Sequence, residues 1–362
     1  MDAQPTPPND SVRAELAAAQ ARGPIRVIIE QPHSSWFARG LKWAGMLLIL
    51  ALILTASFEK SYRGGEAEVQ ERWHSLNETA ADKVAIISVE GTIMGDESFV
   101  KKQIDHVLND DHVKAVVLRI DSPGGTVTGS DYIYHHMKKM AEKKQIPLVV
   151  SMGSIAASGG YYVAMAAGDT ENTIYAEPTT WTGSIGVIIP HYDLSGLLEK
   201  LNVTDDSIAS NPLKMMGSPT RKFPAPIRAE EQQILQGLVD SSFEGFKEIV
   251  LAGRPALRDN KDLQAVVFTG RIFTAQQAKA NLLVDRLGFI EDAIDRAIEL
   301  ANLDKDAVRV VKFHRPVGLM EQLLFGAQSR KQPIDLAALL DLTSPRAYYL
   351  CTFMPGLNSG PR

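Results

Sequence analysis

Short unbroken apolar runs recur along the middle of the chain. They alternate with stretches whose apolar residues return every three or four positions. Residues 84–90 (VAIISVE), 114–120 (KAVVLRI) and 147–151 (PLVVS) are such runs, each followed by a glycine-bearing turn, and they read as buried strands. Between them, 97–109 and 128–143 carry helical spacing. Residues 173–175 and 185–189 read as further short strands. Residues 226–252 predict a long amphipathic helix, with Pro226 in its first turn and Gly253 at its end. Two more helices are expected at 274–281 and 289–302, and a late strand at 308–311. Strands alternating with helices argue for an α/β layer structure with a parallel sheet. Residues 313–362 hold scattered apolar pieces and predict no definite element.

One stretch breaks this alternation. Trp43 to Phe58 are sixteen residues without a charge. As a helix they span about 24 Å, at ~1.5 Å per residue, a little short of a hydrocarbon core of about 30 Å. Counting from Phe37 closes the gap, because Arg39 and Lys42 can snorkel while Trp36, Phe37 and Trp43 sit at the interface. A single membrane anchor over 37–58 is therefore expected, in preference to a cleaved signal peptide or a buried soluble helix. Arg26, Arg39 and Lys42 before it balance Lys60, Arg63 and Arg72 after it, so charge does not orient it. Residues 1–36 read as a disordered tail rich in Pro, Ala and Gln, and 59–83 as a charged helical stalk. The folded domain is expected over 84–312.

Composition narrows the function classes. Of 362 residues, 45% are hydrophobic and 22% charged, as in a chain with a real core. The net charge of −5 gives nucleic-acid binding no electrostatic support. The single cysteine, Cys351, excludes an intrachain disulfide and a cysteine metal cluster. No histidine or glutamate spacing suggests zinc.

Three places can carry chemistry. Ser122-Pro-Gly-Gly125 follows a buried-type strand, where α/β sheets bind ligands, and its glycines could turn backbone N–H groups outward. An ordinary Pro-Gly turn has the same sequence. Ala157-Ser158-Gly-Gly-Tyr-Tyr162 sets one serine among small residues at the start of a helix, as a nucleophile or as an N-cap. Lys214, flanked by Leu213, Met215 and Met216, is either a partly buried amine able to act as a general base or a solvated surface lysine.

Taken in order, Asp121-SPGG, Ala157-SGGYY, Thr182-GSIGV and Lys214-MMGSP resemble the signal peptide peptidase A family of membrane serine proteases. The stretch from Thr269-GRIFTAQQA to Leu283-Val-Asp285 resembles its closing segment. The resemblance covers about 84–312 and points to the short form with one anchor. It implies a Clp-protease-like, crotonase-type spiral α/β fold and a Ser/Lys dyad. Ser158 would be the nucleophile, Lys214 the general base and Ser184 the residue that orients it. The N–H groups of Gly125 and Gly159 would form the oxyanion hole, with no cofactor or metal. It also implies a homo-oligomeric ring, of the order of an octamer, whose protomers share sites. The substrates would be apolar extended peptides such as cleaved signal peptides. The place would be the bacterial plasma membrane, with the catalytic domain outside the cytoplasm. Activity should rise toward alkaline pH, since the base acts as a neutral amine.

Two departures stand out. Leu282 replaces the family's usual glycine, and Met215 replaces a common acidic residue. A Ser158–His191 pair is the rival dyad. A crotonase-type acyl-CoA hydratase or isomerase and a catalytically silent membrane scaffold are the rival functions. The uncharged stretch and the presence of both Ser158 and Lys214 weigh against them.

Overall fold

The computed structural model describes residues 69–95 and 98–315, the strand Tyr348–Leu350, and isolated helical positions at 14, 43–46 and 48. The chain divides into two units, 1–66 and 67–362. The expected tail at 1–36 and the expected anchor at 37–58 lie almost entirely outside the described residues, as do residues 59–68 of the expected stalk. Among the described residues no helix is long and apolar enough to cross a membrane.

The second unit is an α/β structure on a nine-stranded, mainly parallel sheet. Its strands are β1 (Gln70–Leu76), β2 (Asp82–Glu90), β3 (Val113–Ser122), β5 (Leu148–Ala157), β6 (Ile174–Ala176), β7 (Trp181–Gly183), β8 (Ile272–Thr274), β9 (Arg286–Leu287) and β10 (Val308–His314). The main path runs β1-β10-β2-β3-β5-β6-β9, with β7 paired to β5 and β8 to β7. The pairings of β1 with β10 and β7 with β8 are antiparallel. A separate two-stranded sheet joins β4 (Gly124–Thr126) to β11 (Tyr348–Leu350).

The central strands carry unbroken apolar runs, Val84 to Ile87 and Ala115 to Leu118, because both faces of the sheet are covered there. Ala85, Ile87 and Val89 of β2, with Val116, Leu118 and Ile120 of β3, pack into one core. Their alternates Val84, Ile86, Ala115 and Val117 pack on the other face, against Ile294, Ala297 and Ile298. Burying each such Val, Ile or Leu is worth about 1.5–3 kcal/mol before entropy is counted. The helices that cover the sheet include α1 (Ser98–Asn109), α2 (Val127–Lys144), the short α3 (Gly159–Ala164), α4 (Ala225–Gly253), α5 (Ala275–Ala280) and α6 (Ile290–Leu300).

Two local expectations are corrected. Residues 70–76, expected in a helical stalk, form edge strand β1 on β10. Their charged sequence suits an edge strand, and long-range pairing overrides local propensity. Residues 185–189 do not form a strand; the strand comes earlier, as β7. Gly183 and Ser184 both take positive φ (83° and 52°), which ends the extended backbone just before Ile185 turns into the core.

Candidate active site

β3 and β5 lie side by side in parallel, so their C-terminal ends bring two glycine turns together. After β3, the Ser122 hydroxyl accepts the Gly124 N–H at 3.1 Å, tightening the turn. Gly124 adopts φ 97°, which a side chain would resist. The main chain of Ile93 then braces β4 from one side. Its N–H donates to Gly124 O at 2.9 Å and its O accepts from Thr126 N at 2.7 Å. A methyl group on Gly125 would run into that same Ile93 backbone, so only glycine fits. Thr126 caps α2, with its hydroxyl accepting from Gly129 N at 3.1 Å.

β5 delivers Ser158 at its end. Ser158 N donates to Gly183 O at 2.7 Å, and Ser158 O accepts from Tyr162 N at 2.9 Å as α3 begins. Between these bonds the residue is held at φ 54°, ψ −116°, outside the allowed basins for a side-chain-bearing residue. Ser158 is 1% exposed and its hydroxyl has no hydrogen-bond partner among the described residues. A buried unpaired hydroxyl costs stability, and it is kept where something else requires it. The backbone of Gly159 packs on the neighbouring turn. A methyl on Gly159 would lie 3.2 Å from Gly125 N and would strike the Ser130 hydroxyl.

Ser184 stands beside Ser158. β7 pairs with β5 so that Gly183 faces Ala157, and each serine follows its paired residue. Ser184 N is fixed to Arg271 O at 2.8 Å. Ser184 also lines an open cavity of about 490 Å³, with Ile185, Gln236, Asp240, Phe243 and Phe268.

Four of the five expected site residues, Gly125, Ser158, Gly159 and Ser184, are therefore brought together. Lys214 is not. It sits on a single 3-10 turn (Pro212–Met215), exposed, with no hydrogen bond to Ser158 within this chain. Of the two readings of Lys214, the exposed lysine is the one seen within this single chain. The turn's own bonds are local, from Lys214 N to Asn211 O and from Leu213 N to the Asn211 side chain. His191 is also exposed and is not bonded to Ser158. Asp121 and Arg119 are framework residues. Asp121 accepts from Ile155 N at 3.2 Å, and Arg119 bonds Ser151 and Glu177 at 2.8 and 2.6 Å.

Two parts of the site have no sequence motif to announce them. One is the Ile93 brace, whose contribution is main chain only. The other is β11, which pairs antiparallel with β4 and places Tyr349 opposite Gly125.

The chain is similar to known peptidases over this whole region. The family model "Peptidase family S49" matches residues 140–304, and the model "Clp protease" matches 69–181. A Synechocystis protein named "Putative protease slr0021" is 42% identical, over 72% of this chain and 89% of that protein. An Enterococcus faecium protein named "Putative signal peptide peptidase SppA" is 35% identical, over 72% of this chain and 79% of its own length. The chain belongs to peptidase family S49. "Protease 4" of Salmonella typhi is 32% identical, but this chain covers only 42% of it. As an S49 member the protein is a serine peptidase on a Clp-protease-like α/β fold.

Proposed function

We propose that this S49 protein is a membrane-anchored endopeptidase that cleaves apolar, extended peptides, such as signal-peptide remnants, through a Ser158/Lys214 dyad. The observation that carries the reading is the state of Ser158: a buried hydroxyl without a partner, on a strained strand-to-helix turn, against the paired glycines of β4. In the proposed reaction neutral Lys214 takes the Ser158 proton as Oγ attacks the peptide carbonyl. The negative charge that develops on the carbonyl oxygen is met by the N–H groups of Gly125 and Gly159. Lys214 returns the proton to the leaving amine, and water then releases the acyl group from Ser158. Ser184 would hold the amine in line.

The exposed position of Lys214 supports a shared site, with the lysine reaching the serine of a neighbouring copy in a ring. The segment that carries it adds to this support. Tyr192, Leu194, Leu197, Leu201 and Ile208 are all exposed there, Ile208 completely. An apolar surface of this kind is covered in an assembly more often than left in water.

The test uses the full chain in detergent. Ser158→Ala and Lys214→Ala proteins, each inactive alone, are co-assembled. Recovery of peptide hydrolysis in the mixture is the expected result. Mixed assemblies that stay inactive while wild type cleaves would remove the shared site, and full activity of Lys214→Ala would remove the dyad. Loss of activity in His191→Ala with Lys214→Ala unaffected would transfer the base role to His191.

A further inference from the structure

One charged side chain sits where an apolar one belongs. Along the first half of α4 the covered positions fall every four residues, at Ile227, Glu231, Leu235 and Val239, and the residues between them are exposed. Glu231 is the most covered of the four, at 3% exposed. With Lys83 it is one of two charged side chains buried among the described residues. Burying a carboxylate is costly unless it is paired or hydrogen-bonded, so what Glu231 binds explains why it is there.

Its partner is the main chain beside Lys214. The Gly217 N–H, three residues after the lysine, donates to Glu231 Oε1. The other amides here bond locally. Leu213 N donates to the Asn211 side chain and Lys214 N to Asn211 O, both at 2.9 Å. Met216 N donates to Leu213 O at 3.1 Å and Ser218 N to Met215 O at 3.0 Å. Of these five amides only that of Gly217 reaches a helix, fourteen residues further on. That helix is rooted in the core by Phe246 and Val250, both fully buried. A hydrogen bond to an ionised acceptor is about twice as strong as a neutral one. Beside Glu231 a cavity of about 20 Å³ is lined by His191, Arg221, Lys222 and Arg228, with Asp193 across from them. Arg228 also meets Asp193 at 3.9 Å. The countercharge for Glu231 therefore comes from outside the Lys214 turn.

We infer that Glu231 is the positioning residue of the base: its carboxylate holds the Gly217 amide and so fixes where the Lys214 turn is presented to Ser158 of a neighbouring copy. Glu231 touches neither the substrate nor the reacting atoms. It acts through the turn, and a small displacement of the turn would move the amine out of line with the serine hydroxyl. The role rests on the proposed Ser158/Lys214 dyad, but the tie itself can be measured without catalysis.

The test uses full-length protein. Glu231→Met keeps the length of the side chain and removes the acceptor, whereas Glu231→Gln keeps an acceptor oxygen. Glu231→Met should lower kcat for peptide hydrolysis at least about tenfold with KM changed less than about threefold, and Glu231→Gln should stay within about threefold of wild type. Wild-type kcat in Glu231→Met, or equal loss in both variants, would overturn the inference. In mixtures Glu231→Met should sort with Lys214→Ala: co-assembly with Ser158→Ala recovers hydrolysis and co-assembly with Lys214→Ala does not. The reverse pattern would overturn the inference, since Glu231 would then serve the serine side. Should Ser158→Ala and Lys214→Ala not complement each other, the shared site fails, and the kcat comparison still decides the role of Glu231. Hydrogen exchange reads the tie alone. In Ser158→Ala protein the Gly217 amide should exchange at least about tenfold more slowly than an unstructured amide, and adding Glu231→Met should abolish that protection while Glu231→Gln keeps it. An unprotected Gly217 in the parent, which needs no Glu231 variant to fold, or protection unchanged by Glu231→Met, would overturn the inference. Loss of protection in Glu231→Met, with no hydrolysis of any peptide by wild type, would defeat the protease reading and the positioning role with it, and leave only the tie.

Discussion

Around Ser158 nearly every main-chain group is committed to a long-range partner: Ser158 N to Gly183 O, Ile93 N to Gly124 O, Thr126 N to Ile93 O. Around Lys214 the Asn211 turn bonds only within itself, and the longer-range ties lie beside it, from Gly217 N to the Glu231 carboxylate and from Leu194 N to Pro219 O. The first region is built before any partner arrives, and strain is affordable there because neighbours over-determine the backbone. The second is a presented segment with apolar side chains facing outward. The contrast teaches that fixed geometry and late assembly can coexist in one candidate site, with the nucleophile side fixed and the base side delivered.

The sharpest way to test this contrast is to remove each side chain in turn. Ser158→Ala and Lys214→Ala should each lower peptide hydrolysis by at least about 10³-fold. Their stabilities should differ. Ser158→Ala removes a buried hydroxyl without a partner and should unfold at the same temperature as wild type or higher. Lys214→Ala, at an exposed site, should change stability by less than about 0.5 kcal/mol. A large loss of stability in Lys214→Ala, measured by thermal unfolding, would end the comparison.

Glycine replacements probe the same difference through the backbone. Gly125→Ala forces a methyl group into the Ile93 main chain and should cost more than about 2 kcal/mol, with loss of activity. Gly196, in the helix Ser195–Lys200 of the Lys214 region, has nothing near its missing side chain. Gly196→Ala should be neutral or stabilising by up to about 1 kcal/mol in denaturant titration.

Acid should loosen the Lys214 region at one identifiable clip. The hydroxyls of Ser207 and Thr220, and then the Ser207 N–H, hydrogen-bond Asp205 and hold its carboxyl down at about 2. A carboxylate lowered in the folded state contributes above its ordinary value near 3.8, and its contribution fades as pH falls toward about 2. Hydrogen exchange of residues 203–221 should therefore accelerate between about pH 4 and 2, and Asp205→Asn should abolish that step. The smallest effect is expected at Leu282, which holds φ 60° while packing on the core. In Leu282→Gly, relief of about 1 kcal/mol of strain and loss of a comparable burial should nearly cancel, shifting stability by less than about 1 kcal/mol in the same titration.

The central strands were legible because burial on both faces writes itself as unbroken Val, Ile and Leu. The glycine turns were legible because Gly124 and Gly125 occupy places where side chains cannot fit. What sequence could not supply was partnership at a distance. β1 is charged and becomes a strand only through β10. The Tyr349 segment carries no alternation, and its pairing partner lies more than 200 residues earlier. The sequence leaves Lys214 open between a partly buried amine and a surface lysine, and within one chain it is exposed beside half-buried Leu213, Met215 and Met216. Leu282 departs from the glycine usual in the family the sequence resembles, and its backbone is left-handed at φ 60°.

One consequence follows from the Ile93 brace. In the proposed reaction the groups that meet the developing charge are amides of the polypeptide itself, so no codon specifies them and no side-chain scan can delete them. Only amide-to-ester exchange at Gly125 or Gly159, by chemical synthesis or an expanded translation system, would remove one such proton while leaving every residue's shape in place.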